Sequence, residues 1–319
     1  MRATRTDSED QVGVAIAYLL FGVAAGLGLD LVAKWLLADY SLEQFVFLRS
    51  IFGVLIFLCS ARWYGGLGSL RTSCWHCHLL RTMLATGAMF GFFFGLSRMP
   101  LVNALTIAFT APLMVTAMSA PFLGEHVGWR RWLAVTVGFI GVLLVLRPGA
   151  GMFTPAAISL IFAALCYAGL AISARKLAGT ESSFSLAVYV VTGPLVVSAF
   201  ILPGNYTAPD AGGWFFFILA GLCSALAWVG IIGGYRRAPP SILAPFEYTA
   251  LIGAAFAGYW IWNEIPDRWV IAGGMIIIGS GLYVVHREVG NIVSTRILRV
   301  FTAAGAATIF RHVRRISGK

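Results

Sequence analysis

From Val12 to Leu37 the chain is apolar apart from Asp30 and Lys34, and runs of the same kind follow one another to residue 286 with only short polar breaks. Each run is long enough to cross the hydrocarbon core of a bilayer as a helix, which takes about 20 residues. In that medium the backbone finds no water to bond to, so the segment must satisfy its own N–H and C=O groups. Composition agrees: 59% of the 319 residues are hydrophobic and 11% are charged, where soluble chains run near roughly 25% charged. The first run is too long for the core of a cleavable signal peptide and follows about ten polar residues, so it is expected to stay as a helix.

Charge, proline and glycine divide the chain into ten predicted spans, near 13–34, 42–63, 77–97, 101–123, 129–147, 154–174, 184–202, 213–235, 241–262 and 268–286. An even number puts both termini on one side. Of the cations, Lys34, Arg98, Arg147 and Arg268 fall on the opposite side and Arg49 within the second span; the rest gather with the termini, which predicts cytoplasmic ends in a bacterial inner membrane. The net charge of +10 therefore describes loops facing one compartment, and no nucleic-acid partner is expected. Beyond His286 the segment 287–319 mixes Arg287, Arg296, Arg299 and Arg311 with Ile292, Ile297, Val300 and Phe301, the pattern of a basic amphipathic tail that could lie on anionic lipids.

Sliding the sequence against itself by 139 positions aligns Gly91 with Gly230, Gly95 with Gly234, Arg98 with Arg237, Pro100 with Pro239, Thr110 with Thr249, Ala111 with Ala250 and Glu125 with Glu264. Apolar sequence gives some matches by chance, but Arg-x-Pro and the inter-helix Glu together at one offset point to duplication. Five helices per copy is an odd number, so the second copy enters the membrane from the other face. The expected architecture is all-α and integral to the membrane: ten transmembrane helices as two inverted five-helix repeats, with a cytoplasmic segment 1–11, repeats at 12–148 and 152–286, and the tail at 287–319. Inverted repeats are a recurring plan of secondary transporters, because rocking one half on the other changes which side a central site faces. Gly87, Gly91 and Gly95 on the third helix, answered by Gly230 and Gly234 on the eighth, are read as close-packing faces of helices that meet at the centre.

The paired Arg-x-Pro, the mid-helix Pro112 and Pro245, and the Gly124-Glu125-His126 and Asn263-Glu264-Ile265 loops resemble the drug/metabolite transporter superfamily, EamA type, over residues 12–286. The stretch from Ala244 to Ile252 is similar to bacterial members that include S-adenosylmethionine and riboflavin importers. The resemblance implies a central cavity and solutes such as amino acids, vitamins or nucleoside-like metabolites; it implies no cofactor.

An ionisable group inside a span marks a cavity or a partner. Asp30 and Arg49 lie at matching depths below the outer ends of the first two helices, counted at about 1.5 Å per residue. They are read either as a structural ion pair or as a site for a charged substrate group. Glu247 follows Pro245, which removes a backbone donor and is expected to kink the ninth helix where the carboxylate projects. It is read as a substrate- or proton-binding group, or as a hydrogen-bonding partner of a neighbouring helix; burial disfavours the charged form, which makes a coupling proton possible. Tyr248, Tyr167, Trp228 and Phe90, with Phe94, are candidates for stacking on a planar or cationic solute, and Asn103 for orienting one. Glu125 and Glu264, in short loops before helices, are read as caps or braces.

Cys74-Trp75-His76-Cys77-His78 matches the Cys-x-x-Cys-His pattern of covalent haem attachment. Its loop falls on the cytoplasmic side, where thiols are expected reduced, and five consecutive residues are poor at closing a zinc tetrahedron, so neither haem nor metal is expected. No disulfide framework is expected either. A polytopic enzyme acting on a lipid or lipid-linked substrate is the alternative function. It would call for clustered carboxylates or histidines, and the loops hold isolated ones.

Overall fold

The computed structural model describes residues 3–60, 67–70, 72, 74–124, 128–146, 154–177, 180–235, 237, 243 and 246–284. The basic tail, Glu125 and Pro245 lie outside the described residues. Eleven helices carry the described chain: α1 (Ala3–Asp39), α2 (Leu42–Ser60), α3 (Trp75–Leu96), α4 (Leu101–Ala108), α5 (Ala111–Leu123), α6 (Trp129–Leu146), α7 (Pro155–Leu177), α8 (Ser183–Ile201), α9 (Ala211–Tyr235), α10 (Thr249–Trp262) and α11 (Arg268–Val284). Helices α4 and α5 together make one crossing, so there are eight spans of full length plus the shorter apolar α10 and α11, the ten-helix count of the sequence. No strand occurs among the described residues. Large apolar side chains face outward, Phe200 at 83% and Trp260 at 78% exposure, as a surface solvated by lipid requires.

The helix ends repeat along with the sequence. Gly124 closes α5 and Asn263 closes α10, 139 residues apart, both in the left-handed conformation at φ 67° and 55°. The first helix is longer than expected, reaching from Ala3 to Asp39 rather than 13–34. A larger difference is the fourth span, which breaks at Phe109 and Thr110 between α4 and α5. Pro112, in the first turn of α5, has no N–H to return to Ala108. The second copy breaks at the mate of Phe109: Tyr248 is a turn between the helical residues Phe246–Glu247 and α10.

The same side-chain hydrogen bond stands beside both breaks. The Thr110 hydroxyl donates to Ile107 O at 2.7 Å, and the Thr249 hydroxyl to Phe246 O at 2.6 Å. Donor and acceptor in the second bond are each 139 positions beyond those in the first. The Thr110 bond does not replace the one that Pro112 removes: Ile107 O also accepts from Thr110 N at 3.0 Å, and the carbonyl that Pro112 leaves is that of Ala108.

The glycine faces pack tightly, but not against one another as expected. Helix α3 lies on α7, with Gly91 against Ser159 O and Gly95 against Leu160; α9 lies on α1, with Gly230 against the backbone of Gly22. The first helix of each half therefore packs on the third helix of the other. The two contacts are mates of one another, because the repeat carries α3 onto α9 and α1 onto α7. A third close approach joins the fifth helices: a Cβ at Gly141 would lie 2.9 Å from Gly273 O.

Arg98 and Arg237 sit near opposite ends of the bundle. Lys34 Nζ donates to Met99 O at 3.2 Å, while the Arg237 guanidinium lies 4.3 Å from the ring centroid of Tyr18. Tyr18 and Lys34 are sixteen residues apart on α1, about 24 Å of helix. At the Lys34 end a clasp joins the halves: Glu264 pairs with Lys34 and accepts from Leu101 N at 2.8 Å, and Lys34 lies 4.9 Å from the Trp262 ring. Glu264 is the brace that its place in a loop suggested.

A side chain at Gly22 meets backbone: its Cβ would lie 2.7 Å from Ile231 N and 2.9 Å from Ala227 O, whereas one at Gly13 meets nothing within 4 Å. Gly22→Ala is expected to lower stability by about 1–3 kcal/mol, as overpacking does, and Gly13→Ala to leave it unchanged. Thermal unfolding of the two purified variants compares them.

Candidate functional site

Where the two broken helices face each other the bundle encloses a cavity of about 630 Å³, within the range that holds a small organic ligand. Its wall is assembled from α1, α3, the α4–α5 break, α7, α9, the turn before α10 and α11. Much of it consists of symmetry mates: Phe92 with Ile231, Ala108 with Glu247, Phe109 with Tyr248, Ala111 with Ala250. The Phe109 and Tyr248 rings meet with centroids 5.2 Å apart, tilted by 38°. Tyr248 is seated by α11, where Gly281 leaves room for the phenol oxygen that any Cβ would strike.

Polar groups enter this wall from several elements. Asp30 comes from α1 and Glu247 from the helical residues just before the Tyr248 turn, close enough to Tyr167 and Tyr248 for its charge to act on both phenols. Trp228 comes from α9, and Thr116 and Ser119 line the α5 side. Arg49 stands behind the wall. It is 8% exposed, donates to Ser224 Oγ at 2.8 Å and Met89 Sδ at 3.0 Å, and lies 5.4 Å from the Phe93 ring. Its charge and that of Asp30 act on one another, but they make no direct ion pair.

The family model for the EamA-like transporter family matches this chain twice, over residues 13–147 and 154–286. The chain belongs to the EamA-like transporter family. Among its relatives, the S-adenosylmethionine uptake transporter of Rickettsia bellii is 28% identical over 282 residues, covering 88% of this chain and 97% of the relative. The riboflavin transporter of Vibrio cholerae is 28% identical over 281 residues, covering 84% and 93%. A solved crystal structure matches with a TM-score of 0.62 at 17% identity over 87% of this chain and 98% of its own, a likeness of fold. Membership makes this chain a multi-pass membrane transporter, and the enzyme alternative finds no support.

Of the residues singled out in the sequence, Asp30, Tyr167, Trp228, Glu247 and Tyr248 line the cavity together. Three do not. Phe90 packs against the hydrophobic core, with Phe92 facing the cavity in its place; Asn103 lies outside the wall; Arg49 acts only through Asp30. Phe109 and Ala108 were missed, although the offset of 139 from Tyr248 and Glu247 marks both.

The Cys-x-x-Cys-His stretch also departs from expectation. Cys74 precedes α3 and Cys77 is three residues on, which brings their Cα atoms to 5.3 Å, and the two form a disulfide rather than remaining thiols. His78 turns inward at 2% exposure, with Nε2 3.2 Å from Glu181 Oε2.

Removing a buried charge leaves the facing one uncompensated. Asp30→Asn and Arg49→Met should each lower the melting temperature, and the double variant should lose less than their sum, with a coupling of about 0.5–3 kcal/mol. A double-mutant cycle of thermal unfolding measures it.

Proposed function

We propose that this chain carries a small metabolite across the bacterial inner membrane by alternating access, the halves at 12–148 and 152–286 rocking about the shared cavity with both termini cytoplasmic. The observation that supports this reading most strongly is a ligand-sized cavity walled by symmetry mates at two matching helix breaks. A wall built of both copies changes shape when either moves. The clasp of Lys34, Glu264 and Leu101 lies one turn beyond Leu105, which lines the cavity on α4, so one end of the path is held by contacts that cross between the halves.

The solute belongs with amino acids, vitamins such as riboflavin, or nucleoside-like metabolites such as S-adenosylmethionine, the last two being what the relatives' names state. Glu247 binds the solute or a coupling proton, and the 287–319 tail rests on anionic lipids, each cation near the surface contributing about 1 kcal/mol. A thermal-shift screen of purified protein against these classes tests the reading, because a ligand of the folded state raises its melting temperature.

Two further outcomes are expected. Tags placed beside Arg98 and beside Arg237 should report from opposite compartments in labelling of intact cells; the same compartment would dissolve the inverted symmetry. In reconstituted vesicles, uptake across a pH range should fall steeply in Glu247→Gln and Glu247→Ala and persist with an altered pH profile in Glu247→Asp. Unchanged transport in Glu247→Gln would remove this carboxylate from the mechanism.

A further inference from the structure

We infer that Cys74 and Cys77 are an exchange site for a dithiol reductant, and that opening their disulfide loosens the hold of one repeat on the other at that end of the bundle. The inference rests on the proposed orientation, which puts this end in the cytoplasm. Helix α3 runs from the disulfide toward Met99, whose carbonyl accepts from Lys34. Its 22 residues cover about 33 Å, so the disulfide lies at the end away from the Lys34 clasp.

The disulfide braces a grip on Glu181, which precedes α8. Thr72, two residues before Cys74, donates its hydroxyl to Glu181 Oε1 at 2.9 Å and accepts from Cys74 N at 3.0 Å. His78, one residue after Cys77, sets Nε2 3.2 Å from Glu181 Oε2 and 3.4 Å from Ser185 Oγ. One carboxylate oxygen is met from each side of the disulfide, and both contacts cross from the first matched repeat to the second. Cys74 is the N-cap residue of α3 and Cys77 belongs to its first turn, so the sulfur bridge fixes Thr72, ahead of the helix, relative to His78 on it. Without the bridge, the two arms are tied by backbone bonds from Cys77 N and His78 N to Cys74 O, at 3.1 and 3.2 Å, at a helix end with no side-chain cap bond. Helix ends held in this way open readily.

The site is within reach of a reductant: Cys74 and Cys77 are half-buried, and Trp75 and His76 between them are exposed, Trp75 at 61%. A thiolate of the reductant attacks one sulfur of the bridge to form a mixed disulfide, and the other cysteine leaves and takes a proton. The reductant's second thiolate then displaces the remaining cysteine, which is protonated in turn, and the reductant departs as a disulfide. The duplication does not repeat this device. At the other end, where the start of α2 meets the chain before α9, Gln44 bonds the backbone of Thr207 in both directions at 2.6 and 2.8 Å, a link that no thiol reagent alters.

Differential alkylation with mass spectrometry on the purified full-length protein should find the Cys74–Cys77 bridge opened by dithiothreitol and closed again by oxidised glutathione. A bridge that persists in excess dithiothreitol overturns the exchange site. Hydrogen exchange of the two forms reads the grip: amides of the Thr180–Leu186 segment should exchange at least about tenfold faster in the reduced protein, with those around Leu101 and Glu264 unchanged. Cys74→Ser/Cys77→Ser should exchange as the reduced protein does, with or without dithiothreitol. Glu181→Ala should exchange fast in both forms, with Thr72→Val as the second variant if the first does not fold. A change confined to the first turn of α3, or a response to dithiothreitol in the double serine variant, overturns the switch and leaves the orientation standing. In inside-out membrane vesicles the impermeant reductant tris(2-carboxyethyl)phosphine should open the bridge. Opening from the outside of intact spheroplasts instead would place this end outside, and the proposed orientation would then fail together with the cytoplasmic reductant.

Discussion

Everything in this bundle depends on where its backbone is allowed to stop being helical. In hydrocarbon an unpaired carbonyl costs several kcal/mol, so a helix can break at mid-membrane only in the protein interior. A Thr hydroxyl stands at each break, 2.7 and 2.6 Å from the carbonyl three residues back. The chain stops twice, at Phe109 and Tyr248, and the two stops face each other. A cavity at the breaks is the consequence: it is where irregular backbone can be afforded, and it is where Asp30 and Glu247 find neighbours other than lipid.

The crosswise packing explains how a wall made of both copies stays together. Had each half packed only on itself, the cavity would lie on a weak seam between two bodies. Instead α1 is held to α9 where the backbones of Gly22 and Gly230 touch, and α3 to α7 where Gly91 lies on Ser159 O and the Leu160 side chain sits at Gly95.

Much of this was legible in the sequence because lipid leaves a chain few choices. Run length fixes the spans, an odd number of helices per copy fixes the inversion, and charge inside a span fixes Asp30 and Glu247 as interior groups. The helix breaks were not legible: Phe109, Thr110, Tyr248 and Thr249 are ordinary in a membrane helix, and Pro112 in the first turn after a break looks the same as a proline that merely kinks. Arg49 was misplaced for a related reason. Depth along a helix follows from counting, but which way a side chain faces around it follows from packing, and Met89 and Ser224 claim the guanidinium on the side away from the cavity. The partner of Gly91 was likewise a question of three-dimensional pairing that spacing could not answer.

Under the proposed alternating access, a symmetric frame by itself would leave the two states nearly equal in energy, since each would be made of the same contacts read from opposite ends. Any bias would then have to come from residues that the duplication does not repeat. Glu247 has Ala108 as its mate, Asp30 has Gly169, and Arg49 has Val188. Lys34 corresponds to Ser173, which at the other end accepts from Arg81 at 2.7 Å instead of pairing with a carboxylate. The Lys34–Glu264 pair retains 11% and 20% side-chain exposure, and a partly solvated pair of this kind contributes on the order of 1 kcal/mol. If the halves rock as proposed, a contribution of that size favours the clasped arrangement several-fold without locking it.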